Sequence, residues 1–127
     1  MFSHIMIGVN DMEKSKAFYD AVLGELGHKP GVIDDKGRCF YFTKEGIFSL
    51  TKPLNGEAAT GANGGTIGFA AADTDAADRW HAAGVANGGI PCEDPPGIRE
   101  GDKFDLYLAY LRDPAGNKIC AMHRIMK

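Results

Sequence analysis

Few side chains in this sequence are able to do chemistry: four histidines (His4, His28, His81 and His123) and three cysteines (Cys39, Cys92 and Cys120). An imidazole changes charge near neutral pH and can serve as a general base or a metal ligand. Nothing around His4 in the sequence supplies the partner that would orient it. A strand histidine bonded to a neighbour therefore stands beside a catalytic one as a reading. The cysteines are odd in number and form no CxxC pair. That argues against a disulfide framework and a structural zinc site, and for reduced thiols packed as small apolar groups. Arg38, Arg112 and Arg124 have no neighbour that forces them inward, so they default to solvated surface charge.

These residues must be held by regular elements, and the hydrophobic periodicity supplies them. Phe2 to Val9 reads as a strand, with Ile5, Ile7 and Val9 alternating with His4, Met6 and Gly8. Asn10 or Asp11 caps a helix whose stripe is Phe18, Val22, Leu23 and Leu26 and which Gly27 ends. Strand-like segments follow at about His28–Ile33, Arg38–Thr43 and Ile47–Thr51. Lys52–Gly65, rich in Gly, Ala and Asn, reads as a linker. The pattern then restarts. Thr66–Ala71 repeats His4–Val9, Asp73 repeats Asp11 and Trp80 repeats Phe18, all at one constant offset. The Gly88–Gly89 pair ends the second helix, and a Gly/Pro-rich loop over Asp94–Lys103 has the length of a binding loop or lid. A strand at about Phe104–Arg112, a hairpin at Asp113-Pro114-Ala115-Gly116 and a last strand at Lys118–Arg124 complete the chain.

The composition narrows the class. With 127 residues, 44% hydrophobic and 24% charged, the chain has the size and make-up of one globular domain. A net charge of −3 without a basic run argues against nucleic acid as a partner. No apolar run is long enough to span a bilayer, and the opening residues lack the pattern of a signal peptide. The expectation is a cytoplasmic protein with no membrane partner.

Two motifs carry a resemblance. The first is His4-Ile5-x-Ile7-x-Val9-x-Asp11 followed by Ser15-x-x-Phe18-Tyr19-x-x-Val22-Leu23-Gly24; the second runs from Leu108 through Arg112-Asp113-Pro114-Ala115-Gly116-Asn117 to Ile119. Together they resemble the glyoxalase/bleomycin-resistance/dioxygenase family, also called the vicinal oxygen chelate family, over nearly the whole chain. The resemblance implies an α+β fold of two βαβββ modules, one helix each, in a curved mixed sheet around a cleft. Module one would be residues 1–52 and module two residues 66–127, joined by the linker 53–65. It also implies a homodimer and a substrate or metal site in the cleft.

Fold membership does not choose among the family's activities. The four positions that match the ligands of metal-dependent relatives fall on His4, Ser49, Thr66 and Cys120. One imidazole, one thiol and two neutral hydroxyls make an incomplete set for the family's divalent metal, so no cofactor is expected. Strand alternation puts Met6 beside His4 and Met122 beside Cys120 on the cleft face. The expectation is a protein that binds a small, mostly apolar molecule, with Met6, Ser49, Thr51, Thr66, Tyr110 and Met122 lining the cleft. The alternative is an enzyme resembling lactoylglutathione lyase or a dioxygenase, a lyase or isomerase among them. It would use a non-standard metal site, or His4 and Cys120 as catalytic residues if His4 lowered the thiol pKa.

Overall fold

The computed structural model describes all residues, Met1–Lys127. Its elements are β1 (His4–Gly8), α1 (Met12–Glu25), β2 (Val32–Ile33), β3 (Cys39–Phe42), β4 (Ile47–Thr51), β5 (Ile67–Ala70), α2 (Thr74–Ala86), β6 (Ile90–Pro91), β7 (Gly97–Arg99), β8 (Phe104–Arg112) and β9 (Lys118–Met126). Both helices begin as the repeat implies. The carboxylate of Asp11 accepts from the Lys14 amide at 3.1 Å, and that of Asp73 from the Ala76 amide at 2.7 Å. Each cap satisfies one of the amides that the first turn of a helix leaves without a partner. Both helices also end on a glycine of positive φ, Gly27 at 92° and Gly88 at 98°, the left-handed conformation that costs a side chain energy.

The strands form two separate mixed sheets, so the architecture is the α+β, two-module one that the motifs imply, with the sheet left open. The first sheet has the order β1-β4-β3-β2 and the second β5-β9-β8-β6, with β7 also on β8. In each, the module's opening strand lies parallel to its closing strand, β1 on β4 and β5 on β9. Sequence and structure differ in the details of strands. The His28–Ile33 segment is a strand only over Val32–Ile33, and the Asp94–Lys103 stretch is not a free loop. Gly97–Arg99 inside that stretch pairs antiparallel with β8. The short β6 also escapes the hydrophobic pattern, because two residues carry no alternation and one of them is Pro91.

One hydrophobic cluster runs through both modules. It takes Phe18, Tyr19 and Val22 from α1 and Trp80 from α2, all fully buried, together with Tyr41 and Leu50 of the first sheet and Leu111 and Ile119 of the second. The helices therefore lie between the sheets, packed on each other as well as on the strands. Gly84 on α2 permits the close approach. A Cβ there would stand 2.2 Å from Leu111 Cδ1, 3.2 Å from Val22 Cγ1 and 3.3 Å from Phe18 Cε1.

A buried polar clasp joins the modules at one end. Asp113, 2% exposed, accepts from the Tyr19 hydroxyl at 2.6 Å and from the Asn117 side chain at 2.9 Å. The same Asn117 amide donates to the Gly8 carbonyl at 2.9 Å, so α1, β1 and the β8–β9 hairpin meet there. Burial, followed by the Asp113 charge, drives the Tyr19 hydroxyl pKa well up, which keeps it a donor. The linker is tied over this end. The Ala59 amide donates to Asn10 Oδ1 at 2.7 Å, and Gly61 (φ 79°) lies so close to Gly116 that a Cβ would meet its carbonyl oxygen at 2.6 Å.

Candidate functional site

Strand register sorts the expected site residues onto two faces. On the first sheet, Met6, Ser49, Phe40 and Val32 stand in one row across four strands, and His4, Ile47 and Phe42 form the next. Paired residues in a sheet point the same way, so these side chains share the face opposite to Tyr41, Phe48 and Leu50, which lie in the core. This outer face is apolar and uncovered: Met6 is 39% exposed, Val32 56% and Phe42 60%. Its polar groups are already bonded. The Ser49 hydroxyl, buried under its neighbours, donates to the Ile5 carbonyl at 2.9 Å, and the Thr51 hydroxyl to the Lys52 carbonyl at 3.1 Å. His4 Nδ1 lies 2.8 Å from the Ser3 hydroxyl oxygen.

The second sheet has an equivalent outer face. Its rows are Arg99–Leu106–Arg124, then Gly97–Leu108–Met122–Ala70, then Tyr110–Cys120–Gly68. Cys120 is 6% exposed, and burial pushes its thiol up to about 11. Lys118 works against that rise, while Glu93 and Cys92 add to it. His4 is not among the groups acting on Cys120, so the pairing that would have activated the thiol is not formed within the chain. Thr66 is exposed and precedes the first residue of β5. Lys118 forms an ion pair with Glu93 and sits 5.1 Å over the Tyr110 ring.

The expected site is thus divided. His4, Met6, Ser49 and Thr51 are on one outer face; Tyr110, Cys120 and Met122 are on the other, and Thr66 stands at the start of that sheet. Both sheets turn their inner faces to the shared core, so their outer faces point away from it and do not enclose a cleft within one chain. Hollows lie elsewhere, among them one of about 650 Å³ by Met12, Lys16 and Lys36 that takes in Thr51. An apolar one of about 570 Å³ opens between the modules, lined by Ile5, Leu23, Leu26, Phe48 and Phe69, with only His4 of the expected residues at its edge. Another of about 440 Å³ between the strand ends and the linker takes in Met6 and Thr51.

No three His, Cys, Asp or Glu side chains converge in the chain. Of the four matching positions, the Ser49 hydroxyl is committed to a backbone carbonyl and the Cys120 thiol holds its proton well above neutral pH, which leaves His4 alone as a ready ligand. Sequence reasoning missed Arg99, which anchors the segment once read as a loop by donating to the carbonyls of Asp94, Pro95 and Gly97. The pattern at Gly97–Arg99 is too short to announce a strand, so nothing placed this arginine on the outer face.

No curated protein sequence matches the chain. Among solved structures, a glyoxalase/bleomycin resistance protein from Albidiferax ferrireducens T118 superposes with a TM-score of 0.92 at 59% identity, covering 97% of this chain and 98% of that one. At fold level, a glyoxalase/bleomycin resistance protein/dioxygenase family enzyme from Burkholderia phytofirmans PsJN aligns at 0.71 and 19% identity, covering 94% and 95% of the two chains. A glyoxalase-related enzyme from Fulvimarina pelagi aligns at 0.71 and 18% identity, covering 96% and 86%. The family model for the Glyoxalase/Bleomycin resistance protein/Dioxygenase superfamily matches residues 1–121, which takes in both motifs and both modules. With its duplicated modules and two outward sheet faces, the chain belongs to that superfamily.

Proposed function

We propose that this chain is a binding protein for a small, mostly apolar molecule and works as a homodimer. The outer face of the first sheet of one copy meets the outer face of the second sheet of the other, and the ligand lies between them. The observation that carries this reading is the division of the site. His4, Met6 and Phe42 on one face and Tyr110, Cys120 and Met122 on the other are each half of a lined cleft, and each half is turned to the outside. An exposed apolar sheet face of this kind is a liability unless something covers it. Two copies related by a twofold axis bring the unlike faces together twice, closing two equivalent clefts. Phe42, Phe40 and Met6 from one side and Leu108, Leu106 and Met122 from the other give the cleft its apolar character. The three free thiols suit a reducing cytoplasm, and the net charge of −3 suits a partner other than nucleic acid.

We read the cleft as binding without a metal, because His4 is the single ready ligand. Elemental analysis of protein prepared without a histidine tag should find well under one equivalent of any transition metal per chain. One equivalent that is lost in His4→Ala would contradict this. Ligand binding itself is tested by a thermal-shift screen of small apolar molecules. A ligand present at about a hundred times its Kd should stabilise the fold by about 2.7 kcal/mol, a shift of several degrees for a domain of this size. A screen in which Phe42→Asp and the wild-type protein respond alike would remove the cleft from the account.

A further inference from the structure

We infer that Asn63 is a modification site: it loses its side-chain amide as ammonia, through attack by the Gly64 amide nitrogen, and becomes aspartate or isoaspartate.

An asparagine followed by glycine is the pair in which this reaction meets least obstruction, because glycine puts no Cβ beside the attacking nitrogen. The chain has three such pairs, Asn55-Gly56, Asn63-Gly64 and Asn87-Gly88. The fold treats them differently. Asn55 accepts from the Glu57 amide at 3.0 Å and donates to the Glu57 carboxylate at 3.2 Å, and the Gly56 amide donates to the Pro53 carbonyl at 3.1 Å. Asn87 caps the end of α2, where its side chain donates to the Ala83 carbonyl at 2.8 Å. At Asn63 neither the side chain nor the following Gly64 amide has a partner, and both residues are exposed. A Cβ built on Gly64 would meet nothing within 4 Å, so no neighbour hinders the approach.

The turn that carries the pair is also weakly held. One bond closes it, from the Gly65 amide to the Ala62 carbonyl at 2.8 Å. Ala62 stands at a φ of 48°, the left-handed region that costs a side chain energy, and opening the turn relieves that cost. In the open turn the Gly64 nitrogen gives up its proton and bonds to Cγ of Asn63. The Cγ–Nδ2 bond breaks, and ammonia leaves with a proton. Water then opens the resulting succinimide at either carbonyl. Breaking the bond from the Gly64 nitrogen to Cγ gives aspartate. Breaking its bond to the main-chain carbon gives isoaspartate, in which the chain runs through Cγ. One water is consumed and one ammonium released for each carboxylate formed, and no electrons change hands. The new charge and the longer backbone fall between two fixed points, Gly61 against Gly116 and Ile67 paired with Ile119, so the fold around the turn stays in place.

The test is peptide mapping by mass spectrometry during incubation in mildly alkaline water enriched in heavy oxygen, with the same incubation in guanidinium chloride as reference. In the denaturant, where no turn is held, the three pairs should convert at similar rates. In the folded protein Asn63 should convert about fivefold or more faster than Asn55 or Asn87, since each of those must first break at least one hydrogen bond. The product should carry one heavy oxygen from the water that opened the ring, and part of it should be isoaspartate, separable from aspartate by chromatography. Asn63→Gln should remove that product while Asn55 and Asn87 continue at their own rates. Equal rates at the three pairs in the folded protein, or earlier conversion of Asn55 or Asn87, would overturn the assignment. So would an Asn63 that stays intact in the folded protein while the pairs in the denaturant are converted.

Discussion

Asp113 and Cys120 show how much a residue's role depends on what folds around it. Asp113 was legible as a turn residue, from Pro114 after it and Gly116 at the end of the turn, and the turn forms with Gly116 donating its amide to the Asp113 carbonyl. Its second role, as acceptor for Tyr19 across the module boundary, was hidden because the two residues are 94 positions apart. No local pattern reports such a contact. That Cys120 shares a strand face with Met122 was legible by alternation, but its ionisation depends on burial, which sequence does not give. Its folded-state pKa is raised from 9.0 to about 11, so the folded chain holds the proton more tightly than the unfolded one. The resulting stability is whole below about pH 9 and is lost as the pH rises through about 11. The same shift makes Cys120 a slow nucleophile near neutral pH. Mass spectrometry of the native protein after brief iodoacetamide treatment at neutral pH should find Cys92, which is half-buried, modified before Cys39 and Cys120, both buried. Fast labelling of Cys120 would mean that it is activated and would favour the enzymatic alternative.

The elements themselves were read well wherever they were long and periodic. Both helices, their aspartate caps and their glycine stops follow from the spacing of Phe18, Val22 and Trp80 and from chemistry that needs only a turn of chain. The strands at Ile47–Thr51 and Phe104–Arg112 were legible to the residue. What failed was short: β6 and β7 have two and three residues, and a strand of that length takes its conformation from the neighbour it pairs with. Helix-on-helix packing was also invisible, since a stripe shows that a face is buried but not against what. Gly84 is where that packing is tightest. Gly84→Val should destabilise the protein by about 1–3 kcal/mol or more through overpacking against Leu111 and Val22. That should lower the urea midpoint, while Gly24→Ala on α1, where a Cβ meets nothing within 4 Å, should leave it unchanged or raised. Equal midpoints for Gly84→Val and wild type would show that the helices have room between them.

The whole molecule gives the individual residues their meaning. Its sequence announces a duplication, and a duplication of open modules makes two half-clefts. Whether the halves face each other within a chain or across copies cannot be read from periodicity, because the alternation of His4, Met6 and Gly8 is the same in both arrangements. The common core of the two sheets turns both lined faces outward, away from each other within the chain. The central claim is therefore that a second copy completes the cleft through these faces. Multi-angle light scattering on wild-type protein and on Phe42→Asp, at micromolar concentration, tests it most directly. Phe42 is 60% exposed, so the charge can be accommodated by the isolated chain but not by a covered apolar face. The account predicts twice the chain mass of 13.6 kDa for wild type and the single chain mass for the variant. A monomeric wild type, or a Phe42→Asp protein that remains a dimer, would contradict it.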